Sequence, residues 1–455
     1  MYAPIHKLLR LPCALMVAGL CGLPAHAWEL YKADETVVNA DLEAMGGILR
    51  SSKSYATIGN DKKRSVNWQE GYVKYGFSGS LGTGGSSALY GKLNALTSGT
   101  WGDGDAANIS SGGERRTSFE DVYGGWRSGN LFPALGADGI DISFGRQLVM
   151  VGDGFLIGGD MVSPGDSRSF GTRYDRGGGY YLAAHRSFGE TAVLRIGGNE
   201  GLRGDLMWLK SNNHIQGDTE MGVGVLEYVA PQGTLGLTWI HGIDVDKKYT
   251  FIESRLARDG MDTVSLRGAG NLGVENLNLS FEYAHQELSA YQGAAGRQKS
   301  TTENGWYVEG SWTFADVPWK PTATYRYSRF SELYDPLFYG FSRGFGVWFQ
   351  GEVAANYAGP LSSNDSVHHV GLKLAPREDL ELGALFFRFH TLDNDLGNLS
   401  GNELDLYAMW TASEHWQLGL LGGLYKPKKS ADNGGTQLGG DGTNHYLQFT
   451  VMVTY

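Results

Sequence analysis

Apolar and polar side chains alternate with a period of two along most of this chain. In 276–286, NLNLSFEYAHQ, Leu277, Leu279, Phe281 and Tyr283 fall on one face and Asn276, Asn278, Ser280 and Glu282 on the other. In 304–315, Trp306, Val308, Gly310, Trp312 and Phe314 oppose Tyr307, Glu309, Ser311 and Thr313. In 402–411, Leu404, Leu406, Ala408 and Trp410 oppose Glu403, Asp405 and Tyr407. The same period recurs near 69–80, 87–97, 139–145, 190–197, 234–241, 346–357, 367–375 and 383–391. Strand is the only regular structure with that repeat. Turn-rich segments such as 212–218, 292–300 and 431–444 separate the runs, and about 16 to 20 strands fit with no domain boundary between them.

What remains is to decide which all-β architecture the strands build. Glycine is 68 of 455 residues and aromatics reach 12 %, a mixture too apolar for disorder and too Gly-rich for helices. Beyond the leader no apolar run reaches 18 residues, so any entry into a membrane is by strands. A soluble sandwich or propeller also alternates, but three features favour a closed transmembrane barrel. Rings sit at strand ends, as in Trp68, Trp101, Trp239, Trp306, Trp312, Trp410 and Trp416, where the two membrane interfaces take them. Full charges of both signs occupy the polar phase in mid-strand. The sequence ends inside a strand, HYLQFTVMVTY, with Phe449, Val451, Val453 and Tyr455 on one face. A closed ring has no sheet edge, so its last strand closes on its first. The expected fold is a single antiparallel β-barrel of about 18 strands, residues 28–455, with Tyr455 as the terminal aromatic read by the barrel assembly machinery.

Residues 1–27 read as a secretory signal: Lys7 and Arg10, an apolar run from Leu11 to Leu23, then Ala25-His26-Ala27 before cleavage at Trp28. Leu20 before Cys21 argues against a lipoprotein. Both cysteines, Cys13 and Cys21, lie in the leader, so the exported chain has no thiol and no disulfide. The formal charge of the full chain is −11, and it is more negative without the leader's two cations. That balance excludes nucleic acid as a partner. The expected location is the outer membrane of a Gram-negative cell, with outer-membrane lipids as neighbours.

Turning the apolar phase outward turns the polar phase inward. The inward set comprises Lys74, Lys92, Arg195, Arg326, Lys373 and Arg388 with Asp121, Glu282, Glu309, Glu352, Glu403 and Asp405, and the rings of Tyr72, Tyr90, Tyr123, Tyr307, Trp348 and Tyr407. A barrel of this size holds an aqueous channel, whose charges bias what passes. Pairing across neighbouring strands, which only stiffens the wall, is the alternative role for each of them. The stretch 141–181 loses its alternation after Arg146 and gathers glycine with Asp153, Arg168, Arg173, Asp175 and Arg176. An insertion of about 30 residues is long for a turn. It is either a surface loop or a charged constriction folded into the bore, and its composition favours the constriction.

FGRQLVMVGDGFLI (144–157), GTRYDRGGGYYLAAHR (171–186) and SELYDPLFYGFSRGFG (331–346) resemble the signature of the alginate export family of outer-membrane proteins. Its E-x-(Phe/Tyr)-D-P-L-(Phe/Tyr) segment is matched by Glu332, Tyr334, Asp335, Pro336 and Leu337. The resemblance implies an 18-stranded barrel, a lumen constricted by loops and passage of an anionic polysaccharide.

The function expected is a passive, substrate-selective, porin-like channel for an anionic polysaccharide such as alginate or another small acid. The substrate path would run past Arg146, Asp153, Arg173, Asp175, Arg176, Arg195, Arg326, Glu352, Lys373 and Arg388, with no catalytic residue, metal or cofactor. A general diffusion porin, an adhesin or structural barrel and a barrel enzyme of the lipase or protease type are the alternatives. The chain has no G-x-S-x-G and no H-E-x-x-H, His285 lies on the outward phase, and the His368-His369 pair points to opposite faces. Asp103 and Asp105 lack the acidic ladder of a calcium site.

Overall fold

The computed structural model describes residues 27–294, 296–340 and 350–455; residues 1–26, on which the expected secretory signal falls, and Trp348 lie outside them. The strands are β1 (Trp28–Ala33), β2 (Thr36–Ser51), β3 (Val66–Gly84), β4 (Ser87–Gly102), β5 (Arg115–Arg127), β6 (Ile140–Gln147) and β7 (Phe188–Ile196). Next come β8 (Gly201–Lys210), β9 (Glu220–Ala230), β10 (Gly233–Asp244), β11 (Asp262–Gly270), β12 (Leu277–Leu288), β13 (Tyr291–Gly293) and β14 (Gly296–Gln298). The chain ends with β15 (Thr301–Thr313), β16 (Thr322–Phe330), β17 (Asp365–Arg377), β18 (Leu380–Thr391), β19 (Gly401–Thr411), β20 (Trp416–Pro427) and β21 (Asn444–Thr454).

Eighteen of these, β2–β12 and β15–β21, form a closed antiparallel barrel. β21 closes the ring on β2, from Glu43↔Thr454 to Ser51↔Tyr446. Tyr455 exchanges two backbone hydrogen bonds with Leu42, both 2.7 Å. β1 then continues the seam along β2, with Trp28 opposite Ala40, and the Trp28 ring stacks on Tyr455 at 4.8 Å. β13 and β14 make a separate hairpin.

One rim carries long connections (52–65, 103–114, 148–187, 211–219, 245–261, 289–300, 331–364, 392–400 and 428–443). The other carries mostly tight turns, such as 85–86, 231–232 and 378–379, together with Trp28 and Tyr455. The same division into a long-loop rim and a tight-turn rim marks outer-membrane barrels, whose long loops are extracellular.

The alternation expected from the sequence is realised as two faces. β19 is buried at Gly401, Glu403, Asp405 and Tyr407 and exposed at Asn402, Leu404 and Leu406. Phe449, Val451, Val453 and Tyr455 share the outward phase of the last strand, while Gln448, Thr450, Met452 and Thr454 are buried inward. Large apolar side chains cover the outer wall, among them Leu202, Leu206 and Leu406, each more than half exposed. A continuous apolar surface of this kind suits hydrocarbon, not water.

The inside is not an open pipe. One apolar cluster joins Leu49, Trp68 and Tyr72 of the wall to Tyr180, Tyr181 and Leu182 and to Val353–Ala358. A second joins Val151, Phe155, Leu156 and Ile157 to Val193, Met207, Val223, Ile240 and Phe330. Both clusters are built by connections that turn inward. Trp68, expected at the lipid interface, is fully buried against Tyr357 and Tyr446 in the first cluster. The described part of the periodic stretch 346–357 is not a strand: residue 350 is a bend, 351–353 are a turn and Ala354–Ala358 is a π-helical turn, all buried inside the bore.

Candidate functional site in the bore

The segment after β6 runs from 148 to 187, longer than the sequence suggested, and it folds inward. Its first half crosses to the far wall. Tyr307 of β15 donates to Asp153, Phe155 packs on Phe330 at 5.9 Å, and Ile157 pairs with Phe338. Its second half returns to the near wall. Tyr181 donates to Glu352 at 2.6 Å and accepts from Gln448 at 2.9 Å. The return depends on three consecutive glycines, Gly177, Gly178 and Gly179, with φ of 95°, 65° and 69°, a left-handed run that only glycine adopts routinely. A Cβ on Gly178 would also meet Thr100 Oγ1 at 2.4 Å. The chain thus lies flat on the inner face of β4 and β5.

Where it lies, it gathers arginines. β5 carries a bulge, in which Asn94 pairs with Asp121 but Ala95 with Phe119. The extra residue brings both Glu120 and Asp121 to the inner face. Glu120 then organises its surroundings: it accepts from Arg186 N at 2.6 Å, Ser187 N at 2.8 Å and His185 Nδ1 at 2.7 Å, with Arg146 Nη2 at 3.7 Å. Burial holds the His185 imidazole below its ordinary pKa, so at neutral pH it is an uncharged donor to Glu120. Asp160 plays the same part for Arg176, at 3.6 Å, while itself held by Ser211 and Asn213.

Arg116 and Arg173 differ from that pair. Both are exposed, and neither makes an ion pair within 4 Å among the described residues, although the Asp175 carboxyl acts on Arg116 at longer range. Arg116 is held only by the backbone carbonyl of Asp175, and Arg173 by the Tyr174 hydroxyl at 2.7 Å. Asp175 is occupied by Gly177 N at 2.6 Å, and burial pushes its carboxyl above the usual range. The four guanidiniums line a cavity of about 180 Å³ together with Tyr174, Asp175, Asn212 and His214. Two are fixed by carboxylates and two are left to meet a solute.

Other inward charges pair on the wall. Lys74 meets Glu43 at 2.9 Å, Lys92 meets Asp41 at 3.8 Å, Arg326 meets Glu309 at 3.4 Å and Lys373 meets Glu381 at 3.7 Å. Tyr72 donates to Glu43, Tyr407 to Glu381 and Tyr90 to Asp141. Arg195 faces the bore near the tight-turn rim, exposed, between Asp141 and Asp205 on the adjacent strands. Glu403 accepts from Val353 N and Ala354 N, both 2.8 Å. Glu352 therefore belongs to an inward loop, not to a strand, and neither it nor Glu403 faces an aqueous path.

Arg388 requires a correction. Phe387 and Phe389 are buried inward, so Arg388 points out of the barrel near the long-loop rim and is not on a substrate path.

The motif 332–337 anchors a loop. Arg258, fully buried, clamps Asp335 through Nε at 2.7 Å and Nη2 at 2.8 Å, and Arg255 adds a third contact at 2.5 Å. Gln286 holds the Asp335 backbone through N at 2.9 Å and O at 2.8 Å. Burial alone would raise the Asp335 carboxyl, but the two guanidiniums hold it well below the usual carboxylate range. Tyr334 and Leu337 are buried beside it and Glu332 is exposed. Asp103 pairs with Arg64 at 2.7 Å, and Asp105 caps its own turn.

Solved structures match this architecture over nearly its full length. OccAB1 of Acinetobacter baumannii aligns with a TM-score of 0.56 at 10 % identity, covering 95 % of this chain and 98 % of that one. OccK8 (OprE) of Pseudomonas aeruginosa gives 0.54 at 10 % identity, covering 91 % and 98 %. OccK11 (OpdR) of the same organism gives 0.51 at 13 % identity, covering 91 % and 96 %. The fold is that of the outer-membrane porins. At these identities the likeness concerns the fold alone. No family model and no curated protein matches the sequence, and the comparisons give no support to the alginate export family in particular.

Arg116 is the bore residue that the sequence reading lacks. It follows Arg115, which stacks outward on Trp101 at 4.0 Å, and period-two alternation from that stack would have turned Arg116 inward.

Proposed function

We propose that the protein is a passive, substrate-selective channel of a Gram-negative outer membrane for small organic anions. Arg116 and Arg173 are the groups that contact the solute, and Arg146 and Arg176, held by Glu120 and Asp160, complete the wall of the same cavity. The observation that carries this reading is the pair of guanidiniums without an ion-pair partner among the described residues, on a cavity of about 180 Å³ between β5 and the inward segment. Fixed cations in a narrow, partly desolvated bore favour anions more than they would in open water. Anionic saccharides, alginate among them, carry the same carboxylate, but the cavity volume favours a single acid unit over a polymer. Most other bore cations are taken up in cross-strand pairs, which fits a local site better than a polyanion track. The two apolar clusters that fill much of the lumen support selectivity over general diffusion. The porin fold and the lack of a nucleophile motif support a channel over a barrel enzyme. The leader and the outward strand ending in Tyr455 support export and insertion by the barrel assembly machinery.

Proteoliposome swelling provides the test. A small carboxylate should enter several-fold faster than an uncharged solute of the same size, and Arg116→Ala/Arg173→Ala should remove most of that preference. Equal rates for both solutes, or no flux even with residues 150–184 replaced by a short flexible bridge, would contradict the proposal.

A further inference from the structure

The outer wall carries a second charged surface, separate from the bore. Near the long-loop rim, outward positions of β16, β17, β18 and β20 hold Arg329, His368, Arg388, His390 and Lys426. Register sets them side by side. His368 is opposite Arg388, Ser366 stands between Arg329 and His390, and Asn402 stands between Arg388 and Lys426. Adjacent strands lie about 4.8 Å apart, so the Arg388 and Lys426 positions are about 10 Å apart, Arg329 is little farther from Arg388, and the two imidazoles lie among them. Arg329 and Arg388 make no ion pair with any described residue. Lys426 reaches only Asp441 of the adjoining loop, at 3.7 Å with both groups exposed.

The surroundings fix the depth of this surface. Immediately on the tight-turn side comes a ring layer: Tyr325 with its hydroxyl 2.9 Å from His368 Nδ1, and Tyr327 against Trp306 at 5.3 Å. Beyond the rings the outer wall is Val370, Leu372, Phe386 and Leu406, all exposed. Aliphatic wall, then rings, then cations is the order met on leaving hydrocarbon for headgroups. The opposite side of the same rim is neutralised: Lys210 pairs with Glu220 at 3.6 Å and His241 with Asp262 at 3.0 Å. Arg50 of β2 and Arg115 of β5 also point outward without an ion pair among the described residues, but each stands apart, whereas this sector gathers Arg329, Arg388 and Lys426 on nearby strands.

We infer that this sector binds the phosphate groups of a phosphorylated, acylated glycolipid of the outer leaflet, with the acyl chains on the aliphatic wall below. Charge complementarity at headgroup depth carries the inference, which rests on the reading of the barrel as an outer-membrane protein. An arginine in this position costs stability when it faces hydrocarbon and is stabilised when it faces a lipid phosphate.

Native mass spectrometry of the mature barrel in detergent, titrated with diphosphorylated or dephosphorylated lipid A, tests it. The wild type should retain the diphosphorylated form. Removing either the phosphates or the two unpaired guanidiniums (Arg329→Ala/Arg388→Ala) should weaken retention roughly tenfold or more. Arg329→Lys/Arg388→Lys should restore most of it, and Lys210→Ala on the opposite wall should change nothing. Heat-modifiable gel mobility establishes that each variant is folded. Equal retention of the two lipids, or undiminished retention by the double alanine variant, would overturn the inference. Conductance separates this from the channel reading, because the sector lies outside the bore and its variants should conduct as the wild type does. A barrel that holds lipid A but passes no current would count against the channel alone.

Discussion

Replacing residues 150–184 with a short flexible bridge should raise single-channel conductance several-fold and abolish solute preference, while the barrel still forms. The ends of the segment already meet, since Gln147 and Phe188 are paired across β6 and β7, and ring closure through β2 and β21 involves none of it. The cost falls inside. Phe155, Leu156, Ile157, Tyr181 and Leu182 are all nearly fully buried. Burying each such side chain is worth about 1.5–3 kcal/mol, so the deletion forfeits on the order of 10 kcal/mol of packing and wets the facing wall. The variant should therefore unfold at lower temperature on heated gels while its pore is wider. Unchanged conductance would mean that the segment does not occupy the bore.

Asp335→Ala should release the long loop after β16 from the barrel mouth. The substitution leaves Arg258 and Arg255 buried together without their counter-charge, and breaking a buried pair from one side costs about 3–5 kcal/mol. Limited proteolysis within 331–340 reads the release directly, and cleavage should rise by at least tenfold over the wild type. Replacing Arg258 as well, in Arg258→Leu/Asp335→Ala, should recover part of the loss, because the stranded charge goes with it. Resistance to cleavage in Asp335→Ala would contradict the anchoring role. The pH dependence follows from the depressed carboxyl. Its stabilisation is fully present above the unfolded value of about 3.9 and is lost only as the pH falls through the lower folded value. Cleavage of the wild-type loop should thus be the same at pH 5 and pH 8.

The wall of this protein is legible in its sequence, and the contents of its bore much less so. Leu277 to Tyr283, Trp306 to Trp312 and Phe449 to Tyr455 announce an outward face because lipid imposes one rule along the whole span. Trp68, Glu352 and Arg388 depart from that rule for one reason. Toward the long-loop rim the chain itself fills the lumen, so the inner face there is apolar and accepts Trp68, Phe387 and Phe389. The outer face at the same level has left hydrocarbon and accepts Arg388. Glu352 sits in a stretch whose apparent alternation comes from a buried turn packed on β19. The charged segment after β6 stands out by composition, and Arg146, Arg173, Asp175 and Arg176 do meet around one cavity. Which of the arginines keep a free guanidinium depends on Glu120 and Asp160. A one-residue bulge places the first and a loop crossing places the second, and neither leaves a periodic trace.

The central claim is that two unpaired guanidiniums at the constriction make this a channel for small anions. Reversal potentials in planar bilayers under a potassium chloride gradient test it most directly, comparing the wild type with Arg116→Glu/Arg173→Glu. The wild type should prefer chloride and the variant should prefer potassium, with the sign of the potential reversed. A wild type that already favours potassium, or a variant whose reversal potential matches it, would contradict the account.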